Sequence, residues 1–365
     1  MVRRLRSAGW LAVALLTVIS VACARETPPG PAALIERTHM TMGSELQLTA
    51  VSTQSDNRGA LAAFDDAFKE VDRLDAMMSV WKPGSELLQL NAAAGDHPVP
   101  VSREMRQILV TAREVGDWTG GKFDVTFGAL SGLWKFDAQN QDNSIPTRAD
   151  IERRLPFIDY HDVIVDEAAG TAFVKRKGVI AHLGGIGKGY AVDRVAAILR
   201  KAGIRDFMIQ FGGDLLLSGR RGDRPWRAAI RDPRGPVEKV FAAIDLFDET
   251  FSTSGDYERF FLAGGRRYHH IIDPDTGEPA RGSRSVTIVA PRAVIADALS
   301  TGVFIMGPEA GMALIEALPD VEGVIVADTG EVRVSSGLKQ RLEMRPAFSI
   351  PRPSTGRPLP ASSSL

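Results

Sequence analysis

Four glycines, Gly184, Gly185, Gly187 and Gly189, surround Lys188 in the run His182-Leu-Gly-Gly-Ile-Gly-Lys-Gly-Tyr-Ala-Val-Asp-Arg, where a helical pattern begins. Backbone amides free of side chains, beside a cation and the positive end of a helix, make an anion site. Two nucleotide motifs fail here. A P-loop needs Ser or Thr after Gly187-Lys188, where the chain has Gly189. A dinucleotide fingerprint counted from Gly185 and Gly187 needs Gly or Ala at the position of Tyr190. The same glycines also suit a plain strand-to-helix turn, and the run alone does not separate the two uses.

More than a hundred residues on, Asp297 and Thr301 stand four apart in Ile295-Ala-Asp-Ala-Leu-Ser-Thr-Gly-Val. That spacing places a carboxylate and a hydroxyl on one helix face, one turn apart. Two hard oxygen donors so placed suit magnesium, with phosphate and water completing its shell. An acid favouring the helix dipole and a threonine bonded to a carbonyl would use the same spacing, and it is the anion loop that tips the balance to a metal. Tyr268-His269-His270-Ile-Ile-Asp-Pro-Asp-Thr-Gly277 sets two histidines on a strand before an Asp-Pro turn. Neighbouring strand residues face opposite sides, so one of the pair enters a site, where a neutral imidazole is a general base for a hydroxyl nucleophile. Ser252-Thr-Ser-Gly-Asp-Tyr257 either donates to phosphate or holds a turn, and Gly212-Gly213-Asp214 either admits a close backbone approach or ends a strand.

These residues need a scaffold, and the patterning supplies one. Apolar spacing predicts a strand over 45–51, a long amphipathic helix over 56–78 carrying Leu61, Phe64, Phe68, Val71 and Leu74, and helices over 85–90 and 102–118. A polar loop is expected at 139–144. A hairpin follows at 163–165 and 171–175, then a helix over 190–202 and a strand over 207–211. Short strands are expected at 226–230, 240–245 and 285–290. Helices over 293–306 and 308–318 precede a last hairpin at 324–327 and 331–334. The fold expected is α+β, a single domain with mostly antiparallel sheets flanked by helices.

The first 22 residues read as an export signal: Arg3, Arg4 and Arg6 precede an apolar run too short for a membrane span. Cys23, the only cysteine, closes that run as in a bacterial lipoprotein signal, with Ser20 where leucine is usual. Cleavage before it leaves Cys23 as a lipidated amino terminus and residues 23–35 as a tether; an ordinary secretory signal with an incidental cysteine is the alternative. Either way the protein is expected outside the cytoplasm, lipid-anchored on the periplasmic side in the first case, and no disulfide can form within the chain. Losing Arg3, Arg4 and Arg6 with no acid takes the net charge from −1 to −4, which leaves no basic excess for nucleic acid. The core domain is expected over 36–340, and the proline- and serine-rich residues 341–365 as a disordered tail.

Together these segments resemble the ApbE family of bacterial FAD:protein FMN transferases. The resemblance runs over about residues 36 to 340 and rests on an ordered series. It begins with Thr41-Met42-Gly43-Ser44, Val80-Trp81-Lys82-Pro83-Gly84-Ser85-Glu86 and Gly121-Lys122-Phe123-Asp124-Val-Thr, and continues with 184–194, Gly212-Gly213-Asp214, 252–257, 269–277 and 296–302. It implies transfer of the FMN half of FAD to a threonine or serine hydroxyl of an exported acceptor protein, with release of AMP and a requirement for Mg2+. It further implies metal ligands at Asp297, Thr301 and the Gly185 carbonyl. The FAD contacts it implies are Met42, Trp81, Lys122, Phe123, Asp124, Lys188, His270 and Ile271, with His270 and Asp297 acting in catalysis. Two departures stand out: His182 replaces the family's usual aspartate, a residue that helps hold the nucleotide, and Trp81 replaces a frequent tyrosine. A Mg2+-dependent FAD pyrophosphatase and a non-catalytic FAD-binding lipoprotein are the rival readings. A Rossmann oxidoreductase is disfavoured by Tyr190.

Overall fold

Apolar residues alternate with one another, rather than with polar ones, along several strands of this chain, so both faces of its main sheet are buried. The computed structural model describes residues 33–52, 57–136 and 143–349. Eight strands, Leu34–Thr41, Ser44–Val51, Phe207–Phe211, Asp214–Ser218, Glu249–Gly255, Ser283–Ala290, Glu322–Ala327 and Val332–Val334, lie across the sheet in chain order, each antiparallel to the next. Consecutive residues point to opposite faces. Leu216, Ile288 and Ile325 join the core beneath the helices. Their neighbours Leu217, Val289 and Val324 join a second core beneath a four-stranded sheet. No boundary in the contact network divides the described residues, and the single α+β domain with antiparallel sheets flanked by helices is the fold observed.

All other elements are inserted between these strands, except the strand Leu342–Ser349, which follows the last of them. The helices Arg58–Met78, Glu86–Ala92, Arg103–Trp118 and Gly187–Lys201 fall between the second and third strands, with the small sheet that contains the expected hairpin Val163–Asp166/Thr171–Val174. Ser85 and Ser102 cap their helices, accepting from the Leu88 and Met105 amides. Phe64, Phe68, Val71 and Leu74 form the buried face of the first helix. The helix Ala293–Met306 is buried nearly all round, because it packs on the main sheet and on the helices Gly187–Lys201, Arg103–Trp118 and Pro308–Ala317.

Four expectations need correction. The tail is not structureless from 341: Leu342–Ser349 is a strand paired with Lys239–Leu246. Pro346 hid it, yet this is the edge strand of its sheet and the register shifts between Val240 and Ala242, opposite the proline, where a missing N–H is tolerated. The tether cannot reach residue 35, since Leu34–Thr41 pairs along its length with Ser44–Val51. The glycine run enters its helix earlier than expected, at Gly187, so Lys188 and Gly189 lie in the first turn. Of the two uses open to the hydroxyl-rich segment from Ser252, a turn is not where its serines lie: they fall in the second half of an interior strand and face a polar site instead of solvent, and the chain turns only from Asp256. Most of the polar loop at 139–144, the export signal with Cys23, and residues 350–365 lie outside the described residues.

Candidate active site

Asp297 and Thr301 project from the buried helix Ala293–Met306 towards the first turn of the helix Gly187–Lys201. The two helices meet at Gly189, where a Cβ would lie 2.3 Å from the Ala293 carbonyl oxygen and 2.7 Å from the Asp297 Cβ. Only glycine allows this approach. It brings the Gly189 N–H to Asp297 Oδ2 at 2.8 Å. Lys188 Nζ then lies 3.6 Å from Asp297 Oδ1 and donates to Asp214 Oδ2 at 3.1 Å. Asp214, at the start of its strand, is buried and also accepts from the Ser252 hydroxyl. Ser254 lies 3.3 Å from the Thr301 hydroxyl and 2.8 Å from that of Ser300. Gly185 stands against the same threonine: a Cβ there would be 3.6 Å from Thr301 Oγ1.

The charges at this centre do not cancel. Two buried carboxylates face one ammonium. Burial and the neighbouring Asp214 push the Asp297 pKa up to about 6, against the pull of Lys188 and the Gly189 amide. Burial opposes the charge on Lys188, yet the two aspartates outweigh it and raise its pKa. The site therefore binds a proton more tightly than an isolated carboxylate would, and a cation answers the same deficit. Its donors are carboxylate and hydroxyl oxygens, the set that suits a hard divalent cation, and no cluster of three or more His, Cys, Asp or Glu side chains competes among the described residues.

One cavity of about 350 Å³ opens onto this centre. Gly185, Lys188, Asp297 and Thr301 line it, together with His182, His270 and Ile271. Lys122, Phe123 and Asp124 line it as well. Lys122 donates to Asp273 at 2.9 Å and to Asp275 at 2.7 Å, tying the loop before Phe123 to the Asp-Pro turn. Both oxygens of Asp124 are taken within the fold, by the Thr126 amide and hydroxyl and by the Tyr160 amide, and burial raises its pKa. Its carboxylate shapes the wall. His182 lies against the Phe127 ring, with centroids 5.0 Å apart, and its Nδ1 accepts from the Gly184 N–H at 3.0 Å. That bond leaves the proton of the neutral ring on Nε2, and burial lowers the pKa.

Of the histidine pair, one enters the site as expected. His270 lines the cavity, and its buried Nδ1 has no hydrogen-bond partner among the described residues. Burial, with the positive charge of Arg259, drives its pKa down to about 3, so the ring is neutral. His269 turns into the core and bonds the Ala280 carbonyl at 3.0 Å. Two expected residues are not brought to the cavity lining: Met42 occupies the turn of the first hairpin at φ 46°, and the Trp81 side chain stands in solvent at 80% exposure. Sequence reasoning passed over Phe127 and Arg259, and reached Asp214 and Ser254 only within segments left with two open uses. The two glycines before Asp214 and the hydroxyls around Ser254 were the available signals; Phe127 and Arg259 carried none.

Residues 42–325 match the sequence profile of the ApbE family. A FAD:protein FMN transferase of Klebsiella pneumoniae is 33% identical over 273 residues, covering 74% of this chain and 77% of that protein. One from Escherichia coli K12 is 33% identical over 244 residues, 66% of this chain and 70% of that protein. Among solved structures, the ApbE protein of Thermotoga maritima superposes with a TM-score of 0.76 at 32% identity, over 85% of this chain and 99% of that one. The flavin transferase ApbE of Vibrio cholerae gives 0.76 at 29% identity, over 85% and 100%.

Proposed function

The chain belongs to the ApbE family, and from that premise we propose that it is a Mg2+-dependent flavin transferase that moves the FMN portion of FAD onto a threonine or serine hydroxyl of an acceptor protein, releasing AMP. The observation that carries the reading is the meeting of Lys188, Asp214, Asp297 and Thr301 around a glycine-walled cavity with one negative charge in excess. A pyrophosphate would add further negative charge, so the site needs a divalent cation to accept it. Asp297, Thr301 and the Gly185 carbonyl would hold Mg2+, which when bound supplies electrophilic activation of the phosphate.

The chain's own groups do the rest. Lys188 and the glycine amides orient the pyrophosphate; His182, through Nε2–H, donates to an acceptor atom of the nucleotide, and Phe127 offers a face for a ring. The cavity volume is at the low end for small-molecule sites, about 300 to 1,000 Å³, so part of a dinucleotide would lie outside it. His270 takes the proton of the acceptor hydroxyl as its oxygen attacks the FMN phosphorus and the bond to the AMP oxygen breaks. Burial makes His270 a weak base, and phosphate charges would raise its proton affinity towards the useful range.

Incubation with FAD, Mg2+ and a flavinylation acceptor is expected to give acceptor-bound flavin by in-gel fluorescence and mass spectrometry, abolished by EDTA. FMN and AMP formed at the same rate without acceptor would point to a pyrophosphatase instead, and intact FAD to a carrier. We further propose export and a lipid anchor at Cys23. Cys23→Ala is expected to release the protein from the membrane fraction, and retention there would exclude the anchor. No helix among the described residues is long and apolar enough to cross a membrane.

A further inference from the structure

Neither helix that builds the charged centre caps itself. The residues preceding Gly187–Lys201 and Ala293–Met306, Ile186 and Arg292, make no side-chain cap bond. Each helix instead receives a carboxylate from the other. Asp297 accepts from the Gly189 N–H at 2.8 Å. Asp193 accepts from the Ala293 N–H at 2.9 Å through Oδ1 and from the Val294 N–H at 3.1 Å through Oδ2. Gly189 and Asp193 are four residues apart, as are Ala293 and Asp297, so the contacts form two rungs one turn apart between facing helices. Both rungs end on the positive N-terminal turn of the partner helix.

We propose that Asp193 is a positioning residue of the active site: its rung fixes the crossing of the two helices and so sets Asp297 and Thr301 against Lys188 and Gly185. The inference rests on the metal-dependent reading above. Asp193 is not among the residues that line the cavity. Its effect passes through the helix N-terminus one turn before Asp297. With the rung gone, the remaining one leaves the helices free to pivot about Gly189, and the oxygen donors lose their fixed separation. A residue that orients metal ligands in this way commonly changes metal affinity by about 10- to 100-fold.

The test uses the full chain with FAD and Mn2+, reading free Mn2+ by electron paramagnetic resonance. Asp193→Ala is expected to weaken Mn2+ binding at least tenfold, with Asp193→Asn, which keeps one acceptor oxygen, at least about threefold weaker. Ser335→Ala serves as the stability control, because it removes the bonds of the Ser335 hydroxyl to the Gly323 amide and Glu322, none of which belongs to either helix. It is expected to lower the melting temperature while leaving Mn2+ affinity unchanged. A purely structural role for Asp193 predicts the same behaviour for all three variants. Should Asp193→Ala fail to fold, Asp193→Asn decides. Unchanged Mn2+ affinity in the Asp193 variants, with the unmodified chain binding Mn2+ normally, overturns the inference alone. No Mn2+ binding by the unmodified chain overturns the metal site and the inference together.

Discussion

Two lysines line the cavity, and each is held by two aspartates, but the two groups are not equivalent. Lys188 sits between Asp214 and Asp297, whose side chains are 3% and 6% exposed. Lys122 sits between Asp273 and Asp275, at 18% and 71%. The inner group is mounted on two helices and a strand, the outer on two loops. Composition is identical, yet water decides what the excess negative charge does. At the outer group it is screened and the pairs tie two loops together. At the inner group it persists, raises the Asp297 pKa and favours a cation. A cation–carboxylate pattern in a sequence therefore says little until burial is known.

The comparison breaks most readily at Asp297. Asp297→Ala is expected to cut flavin transfer by about a thousandfold, the scale of several kcal/mol of lost metal activation, as measured by initial rates of acceptor labelling. Asp297→Asn should be as inactive, yet its metal-free form should melt no lower than the parent at pH 8. The sign follows from the raised pKa: the folded state resists ionisation, so stability is lost as pH rises from about 3.8 towards about 6. A lower melting temperature for Asp297→Asn at pH 8 would mean that Lys188 fully balances the inner charge.

His270→Gln should slow transfer by about a hundredfold or more, as for a lost general base. His270 also has a stability signature. Its folded pKa lies below the unfolded value, so its contribution is complete above pH 6.5 and falls as pH drops towards 3. At pH 5 that amounts to about 2 kcal/mol, and urea unfolding at pH 5 and 7.5 should show a smaller difference in His270→Gln than in the parent. His182 and His269, also lowered by burial, add to the acid sensitivity. The smallest effect belongs to the outer group: Asp275→Asn should cost no more than about 1 kcal/mol and vanish in 0.5 M salt. A large, salt-resistant loss there would make the two groups alike.

The main helices were legible because apolar spacing is a local signal. So were Asp297 and Thr301, four apart on one face. The strand Glu249–Gly255 was not, since Ser252 and Ser254 turn hydroxyls to the site where an apolar pattern would mark a buried strand. Pro346 concealed an edge strand in the same way. The Gly189 contact with Asp297 spans 108 residues and has no local trace; only the complementary chemistry of an anion loop and a pair of hard oxygens linked the two segments. Trp81 shows the converse, a ring named as a contact that stands in solvent here.

The strand order has a consequence in time. Ser44–Val51 pairs with Phe207–Phe211 across an insertion of more than 150 residues, and the charged centre needs Asp297 from the last third of the chain. Contacts this distant in sequence are slow to form. A chain emerging from its amino end can fold its first hairpin and its early helices, but it holds an open sheet edge at Val51 until residue 211 arrives. The cavity must be among the last parts to assemble, so a chain interrupted before residue 297 has most of its helices and none of its chemistry.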